Sequence, residues 1–154
     1  MSDSNGQDGP GPQVIVRIGA KGYTADVRAA GHDFKADEPA SAGGADEGPD
    51  PYALLLSSLG ACKAMTMRMY ADRKKWPLAG AVVHLRHSRI HATDCEDCET
   101  KEGKVDRIEC RIELRGELTD EQSKRIIEIA DRCPVHRTIT SEIDIRTTGA
   151  IIGP

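Results

Sequence analysis

The sequence predicts an α+β fold with antiparallel sheet. Its elements are expected in the order three strands, a long helix, two strands, a second helix and a last strand. Strands and helices are thus segregated, and segregation favours antiparallel sheets over the parallel sheets of chains in which the two alternate. The long helix is apolar on almost every side, which is typical of a buried central helix.

The composition excludes several classes of function. A chain of 154 residues is long enough for one ordinary domain with its own core. With a net charge of -4 and only 3% aromatic residues, it lacks the basic stripe and the stacking platforms of nucleic-acid binders. It contains neither an apolar run of about 18 residues nor an apolar stretch in its polar start, so we expect no membrane partner and a cytoplasmic location.

The segment before the long helix is expected to consist of strands. Residues 1–12 are rich in Gly, Ser, Asp and Pro and are expected to be a disordered tail. Three strands follow from their alternating and β-branched side chains, at Val14–Ile18, Tyr23–Ala29 and His32–Ala36. Residues 37–50 have no core pattern, and long loops inside compact domains are often functional.

The long helix is expected to run from Pro51 to Lys75. Asp50 is a suitable N-cap, Pro51 fits the first helical position, and Trp76 ends the helix because it precedes Pro77. The remaining strands are too few to cover a helix that is apolar on all sides. We therefore expect a second copy of the chain to cover it in an intimate C2 homodimer. The alternative is a monomer in which the long loop covers the helix.

The chain after the long helix completes the predicted domain. Strands are expected at Ala81–Ala92, Val105–Gly116 and Ser141–Arg146. Thr119 and Gln122 have the spacing of a capping box, which predicts a helix that stops before Cys133. The single domain is expected to span 13–148, and residues 149–154 are expected to be a C-terminal tail.

The five cysteines are odd in number and widely scattered, which is not typical of a disulfide framework. Cys62 lies in the middle of the long helix, too deep for the helix N-terminus to stabilise its thiolate, so a reactive Cys62 needs a cation from elsewhere. The alternative is a small buried hydrophobe. Cys133 follows a helix end, where His136 or Arg137 could stabilise a thiolate or where the chain simply turns. Cys110 is expected in the core.

An acidic segment between the two long strands contains a candidate metal site. Cys95 and Cys98 have the C-x-x-C spacing of zinc ligands. The flanking carboxylates would attract a cation, and they disfavour thiolates, which makes the pair a poor redox couple. His87 and His91 are too far apart on a strand to share one ion, so His91 is the expected third ligand. The alternative is a solvated acidic hairpin tip.

Three stretches of the chain resemble the OsmC/Ohr family of thiol-dependent peroxide reductases, with the resemblance covering about Val14 to Arg146. They are LLLSSLGACKAMTMRMYA around Cys62, the preceding GG-x-x-x-GPDPY loop, and CPVHRT at Cys133. The resemblance implies the OsmC-like fold, with antiparallel sheets wrapped around a long central helix, and an intertwined homodimer with two active sites at the subunit interface. It also implies redox chemistry at the two cysteines.

In that chemistry, Cys62 attacks the peroxide as a thiolate and becomes a sulfenic acid. Cys133 then condenses with it to a disulfide, and a dithiol reductant such as a lipoyl protein restores both. The resemblance implies no required cofactor. Because Leu and Met surround Cys62, we expect organic or lipid hydroperoxides as substrates, in oxidative stress defence.

Two positions depart from the family pattern. Family members carry a Glu just past the proline, which pairs with a catalytic Arg, whereas here Tyr52 follows Pro51 and Lys21 stands at the approximate position of the Arg. Tyr52 has no charge at neutral pH, and Lys21 offers a point charge without a planar fork. We expect a divergent branch in which Lys21 and Tyr52 assist Cys62. The alternative is a catalytically lapsed binding or sensing module, with metal at Cys95 and Cys98.

Overall fold

The structure is a computed structural model that describes residues 14–154, so the predicted tail at 1–12 lies outside the described residues. The chain divides into two compact units, Met1–Leu55 and Leu56–Pro154. In order, the elements are the strands β1 (Val14–Ile18), β2 (Ala25–Ala29) and β3 (His32–Ala36), the helix α1 (Pro51–Lys74), the strands β4 (Leu78–His91) and β5 (Lys104–Gly116), and the helices α2 (Asp120–Ala130) and α3 (Pro134–Ile139). Two short 3-10 turns lie at Ala40–Ala42 and Ala92–Asp94.

The predicted α+β class is confirmed. The first unit contains an antiparallel sheet in the order β1-β2-β3, and the second contains the antiparallel pair β4-β5. Strand β2 begins at Ala25, later than the predicted Tyr23, and β4 begins at Leu78, earlier than the predicted Ala81. Among residues 14–154, no helix is long and apolar enough to cross a membrane.

A buried carboxylate closes the loop that follows β3. Asp37 is only 2% exposed. It accepts hydrogen bonds from the Thr24 hydroxyl at 2.7 Å and from the backbone N–H groups of Glu38, Ala45 and Glu47 at 2.8, 3.3 and 3.2 Å. The Thr24 hydroxyl, together with these N–H groups, holds the pKa of Asp37 below its ordinary value, against the opposing effect of burial. A segment without a core pattern is therefore ordered around one polar group.

Two glycines of the same loop allow the backbone to approach itself closely. A Cβ atom on Gly44 would lie 1.8 Å from the carbonyl oxygen of Glu38, and one on Gly48 would lie 2.0 Å from that of Lys35. Both distances are far below van der Waals contact, so only glycine fits at these positions. The GG-x-x-x-GP stretch of the sequence is thus explained by backbone packing within the first unit.

Helix α1 begins as predicted and ends one residue early, at Lys74. The Asp50 carboxylate accepts the N–H of Ala53 at 2.8 Å, which confirms the predicted N-cap. Lys75 adopts a left-handed conformation with φ of 56°, and this conformation ends the helix. Within the second unit, Met65 and Met69 are 61% and 65% exposed, so a single chain leaves part of α1 uncovered.

The core of the second unit forms where α1 and α2 pack on the β4-β5 pair. Thr119 and Gln122 form the predicted capping box, which confirms the start of α2. Tyr70 meets Trp76 edge to face, with ring centroids 5.5 Å apart, and its hydroxyl accepts from Arg125. The buried cluster consists of Met67, Tyr70, Ala71, Leu78, Ile126, Ile129 and Ala130.

Three predictions about the second unit are wrong. Residues 141–154 form neither helix nor strand, although an alternating pattern predicted a strand at Ser141–Arg146. Ile143 and Ile145 are exposed, because alternation makes a strand only where another strand supplies hydrogen bonds. Cys110 is exposed on β5 rather than in the core. The chain after Cys133 is the helix α3, not only a turn, because Pro134 starts a helix at its first position.

Candidate functional site

The structure brings Cys62 and Cys133 together within the second unit. Cys62 lies half-buried on α1, and Cys133 lies fully buried at the N-cap of α3. Both are free thiols, and Cys62 lies near enough to Cys133 to raise the pKa of that thiol. Two cysteines that are far apart along the chain are therefore neighbours, which their spacing alone does not predict.

A close helix–strand contact positions Cys62. Gly60, two residues earlier on α1, faces Leu85 of β4, and a Cβ atom on Gly60 would lie 2.7 Å from Leu85 Cδ1. The absence of a side chain at Gly60 lets α1 approach the β4-β5 pair at the turn of helix that carries Cys62. Leu85 pairs across the strands with Cys110.

A tight corner between α2 and α3 positions Cys133. The Cys133 N–H donates to the carbonyl of Ala130 at 3.4 Å, which ends α2. Its sulfur accepts the N–H of His136 at 3.3 Å, so Cys133 acts as the N-cap of α3, with Pro134 next in the chain. The backbone of Cys133 is thus held to the end of α2 and its sulfur to the start of α3, which fixes the direction in which the sulfur points.

The pKa of the Cys133 thiol is raised. Burial is the largest cause, and the hydrogen bond and charge of Cys62 act in the same direction, whereas the His136 N–H and the charge of Lys63 oppose them. The pair therefore consists of a half-buried Cys62 and a fully buried Cys133, and burial favours the protonated thiol of Cys133.

Lys63 is a buried charged residue beside the Cys133 corner that the sequence alone did not single out. Its side chain is 1% exposed, and Nζ lies 2.6 Å from Asp131 Oδ1, 3.0 Å from His136 Nδ1 and 3.4 Å from the carbonyl oxygen of Ala130. It directly follows Cys62 in the chain. The available indication was a lysine in the middle of an otherwise apolar helix, in LGACKAM. From the sequence, the cation that a reactive Cys62 needs is predicted at Lys21 in the N-terminal hairpin.

Lys21 and Tyr52 both lie in the first unit. Lys21 is exposed in the turn between β1 and β2, and Tyr52 is exposed in the first turn of α1. Cys62, Lys63 and Cys133 lie in the second unit. The assisting roles of Lys21 and Tyr52 stay predictions.

The candidate metal site is not assembled. Cys95 and Cys98 are joined in a disulfide, with their Cα atoms 5.5 Å apart. Both sulfurs are consumed by that bond, and no group of three or more His, Cys, Asp or Glu side chains in residues 14–154 is arranged to hold a metal ion. His91 is exposed beside the 3-10 turn that follows β4.

The sequence model of a protein family matches most of the second unit and part of the first. The family is described as OsmC-like protein, and the match covers residues 43–148. Comparison with curated proteins gives no match.

Three solved structures are similar to the chain. An OsmC-like protein from Mycoplasma pneumoniae has a TM-score of 0.65 at 21% identity, over 84% of this chain and 86% of that chain. An organic hydroperoxide resistance protein OsmC from Legionella pneumophila gives 0.60 at 18% identity, over 83% and 88%. The organic hydroperoxide resistance protein OhrB of Bacillus subtilis gives 0.58 at 17% identity, over 86% and 93%. At these identities the similarity shows the fold alone.

Proposed function

The chain belongs to the OsmC-like protein family, as its cysteine motifs predicted, and from that premise we propose that it is a thiol peroxidase that reduces organic hydroperoxides. The observation that supports the proposal most directly is the proximity of Cys62 to Cys133, which contributes to the raised pKa of the Cys133 thiol. A second support is the name of the Legionella pneumophila and Bacillus subtilis proteins, which are described as organic hydroperoxide resistance proteins.

In the first step, Cys62 is the attacking sulfur. It is the more accessible of the two, whereas burial raises the pKa of the Cys133 thiol and makes that sulfur the poorer nucleophile. The thiolate attacks the outer peroxide oxygen, so the sulfur is oxidised to a sulfenic acid while the O–O bond breaks and the substrate is reduced to an alkoxide. The alkoxide takes a proton from solvent and leaves as the alcohol.

In the second step, Cys133 resolves the sulfenic acid. The Cys133 sulfur attacks Cys62, a disulfide forms, and the hydroxyl leaves with a proton as water. A sulfenic acid without a neighbouring thiol proceeds to irreversible oxidation, so the contact of the two cysteines protects the protein. A dithiol reductant, such as a lipoyl protein, then reduces the Cys62–Cys133 disulfide to two thiols and is itself oxidised to a disulfide. The cycle requires no cofactor.

The working form is proposed to be a homodimer in a reducing compartment such as the cytoplasm. Met65 and Met69 leave an apolar strip on α1 exposed, and a second copy of the chain would cover it. Three cysteines of the second unit are free thiols, and free thiols persist under reducing conditions. The apolar side chains around Cys62 favour alkyl or lipid hydroperoxides over hydrogen peroxide, because desolvating an alkyl chain is favourable.

The function is tested by adding one equivalent of cumene hydroperoxide to the reduced protein and locating the oxidised sulfurs by peptide mass mapping. We expect a Cys62–Cys133 disulfide and steady peroxide consumption with dihydrolipoamide or dithiothreitol. Cys62→Ser is expected to lower the rate by about three orders of magnitude or more, because an unactivated hydroxyl is a poor nucleophile. Cys133→Ser is expected to leave Cys62 open to over-oxidation.

Thr100→Ala is the control, because Thr100 is exposed between β4 and β5, and this variant is expected to keep the wild-type rate. A wild-type protein that forms no Cys62–Cys133 bond and consumes no peroxide with either dithiol would overturn the proposal. The catalytically lapsed binding or sensing module would then be favoured.

A further inference from the structure

On α1 a charged side chain, that of Lys63, is buried while two apolar side chains are exposed, which is the opposite of the usual pattern. The lysine is 1% exposed, whereas Met65 and Met69 on the same helix are more than half exposed. A lysine is rarely fully buried unless its charge is paired, because removing an ammonium group from water costs several kcal/mol. An apolar residue at position 63 would avoid that cost, so the fold of the second unit does not by itself explain a lysine here.

The contacts of Lys63 all lie at the corner that carries Cys133. Nζ donates to the Asp131 carboxylate and to the Ala130 carbonyl at the end of α2. His136 of α3 lies on the other side of the corner, and its Nδ1 must accept, because an ammonium group has only donors. Lys63 therefore ties the corner that holds Cys133 to the helix turn that holds Cys62.

The charge of Lys63 reaches both sides of the site. It lowers the pKa of Cys133 against the larger effect of burial, and it lowers that of Cys110 of β5, where burial again dominates and Asp131 acts in the raising direction. The side chain of Asp131 is 69% exposed, so water screens the carboxylate much more than it screens the buried ammonium. The ion pair therefore presents a net positive potential to Cys133 and Cys110.

We propose that Lys63 is the positioning residue of the cysteine pair: its buried charge holds the Cys62 thiolate, and its contacts with Asp131 and His136 hold Cys133 in reach. This role rests on the proposed peroxidase function for its use in catalysis, although the thiolate itself is measurable without peroxide.

The experiment compares Lys63→Met with the wild-type protein by alkylation of Cys62. Iodoacetamide labelling of the reduced protein is followed from pH 5 to pH 10, with Cys62 read by peptide mass mapping. Methionine keeps the length of the side chain and removes the charge. We expect Cys62 labelling at pH 7 to fall by about tenfold, which corresponds to an upward shift of about one unit in the pH profile. Lys63→Arg is expected to restore at least half of that shift.

Lys124→Met is the matched control, because Lys124 is exposed on α2 and the substitution changes the net charge equally. It is expected to leave the labelling profile of Cys62 unchanged. If Lys63→Met does not fold, as judged by circular dichroism, Lys63→Gln takes its place. A wild-type profile with its midpoint at or above the ordinary thiol value of about 8.5 overturns the proposal without any variant. An unshifted profile in the folded Lys63→Met protein overturns it as well.

The same samples separate this inference from the peroxidase function. If the wild-type protein consumes peroxide but Lys63→Met shows an unshifted labelling profile, the role of Lys63 is overturned and the peroxidase function is kept. If Cys62 labelling falls tenfold in Lys63→Met but the wild-type protein consumes no peroxide, the role of the Lys63 charge is supported and the peroxidase function is overturned.

Discussion

At Asp37, one carboxylate accepts four hydrogen bonds and orders the loop that follows β3. Asp37 and Lys63 are the buried charged side chains among residues 14–154. Each is buried together with its hydrogen-bonding partners, as the cost of an unpaired buried charge requires. Asp37 fastens a loop within the first unit, and Lys63 fastens the cysteine corner within the second.

Asp37→Asn is expected to destabilise the protein at pH 7 and to do so less as the pH falls. The folded protein lowers the pKa of Asp37 below 3.8, so the carboxylate contributes stability above that value and loses it as the pH drops through the lower folded-state pKa. Urea unfolding at pH 7 and at pH values below 3.8 measures the difference. Asp33→Asn, at an exposed carboxylate of β3, is the control, and an Asp37→Asn effect independent of pH would contradict the prediction.

At the scale of elements, local capping determines where the helices begin. The Asp50–Pro51 start of α1 and the Thr119–Gln122 box of α2 were predicted from the sequence and are confirmed. Each depends on residues within one turn, so the tertiary structure cannot easily override it. The strand expected at Ser141–Arg146 did not form, because pairing depends on a distant partner rather than on its own alternation.

Thr119→Ala is expected to lower the free energy of unfolding by about 1 kcal/mol, because the Gln122 N–H loses its acceptor. Chemical denaturation of the variant measures this loss. The double variant with Gln122→Ala is expected to lose less than the sum of the two single losses, since both side chains serve one box. Thr100→Ala, at an exposed position between β4 and β5, should stay within about 0.5 kcal/mol of wild type.

At the scale of the whole molecule, α1 has an exposed apolar side that the expected second copy of the chain would cover. Met65 and Met69 lie one helical turn apart, and both are more exposed than methionine usually is in a globular protein. The expected homodimer would cover them and would also enclose the neighbouring turn with Cys62, which would exclude water from the thiolate.

The molar mass in solution tests the dimer. Light scattering is expected to give twice the chain mass of 16.7 kDa. Met65→Glu places a charge on the apolar strip and is expected to shift the protein towards the monomer, because a desolvated unpaired charge costs several kcal/mol. Lys124→Glu, on the exposed side of α2, should keep the dimer. A wild-type protein that stays monomeric at micromolar concentration would contradict the prediction.

The sequence by itself determined the order of the elements from β1 to α2, the starts of α1 and α2, and the family, because capping residues, proline positions and the two cysteine motifs act over a few neighbouring residues. Only the tertiary structure decided that Cys62 meets Cys133, that Lys63 is buried beside them, and that Cys95 and Cys98 form a disulfide. These outcomes depend on which surfaces pack together. Packing joins residues that are distant along the chain. At position 63, the apolar pattern of the helix predicts an apolar residue, whereas the residue there is a lysine.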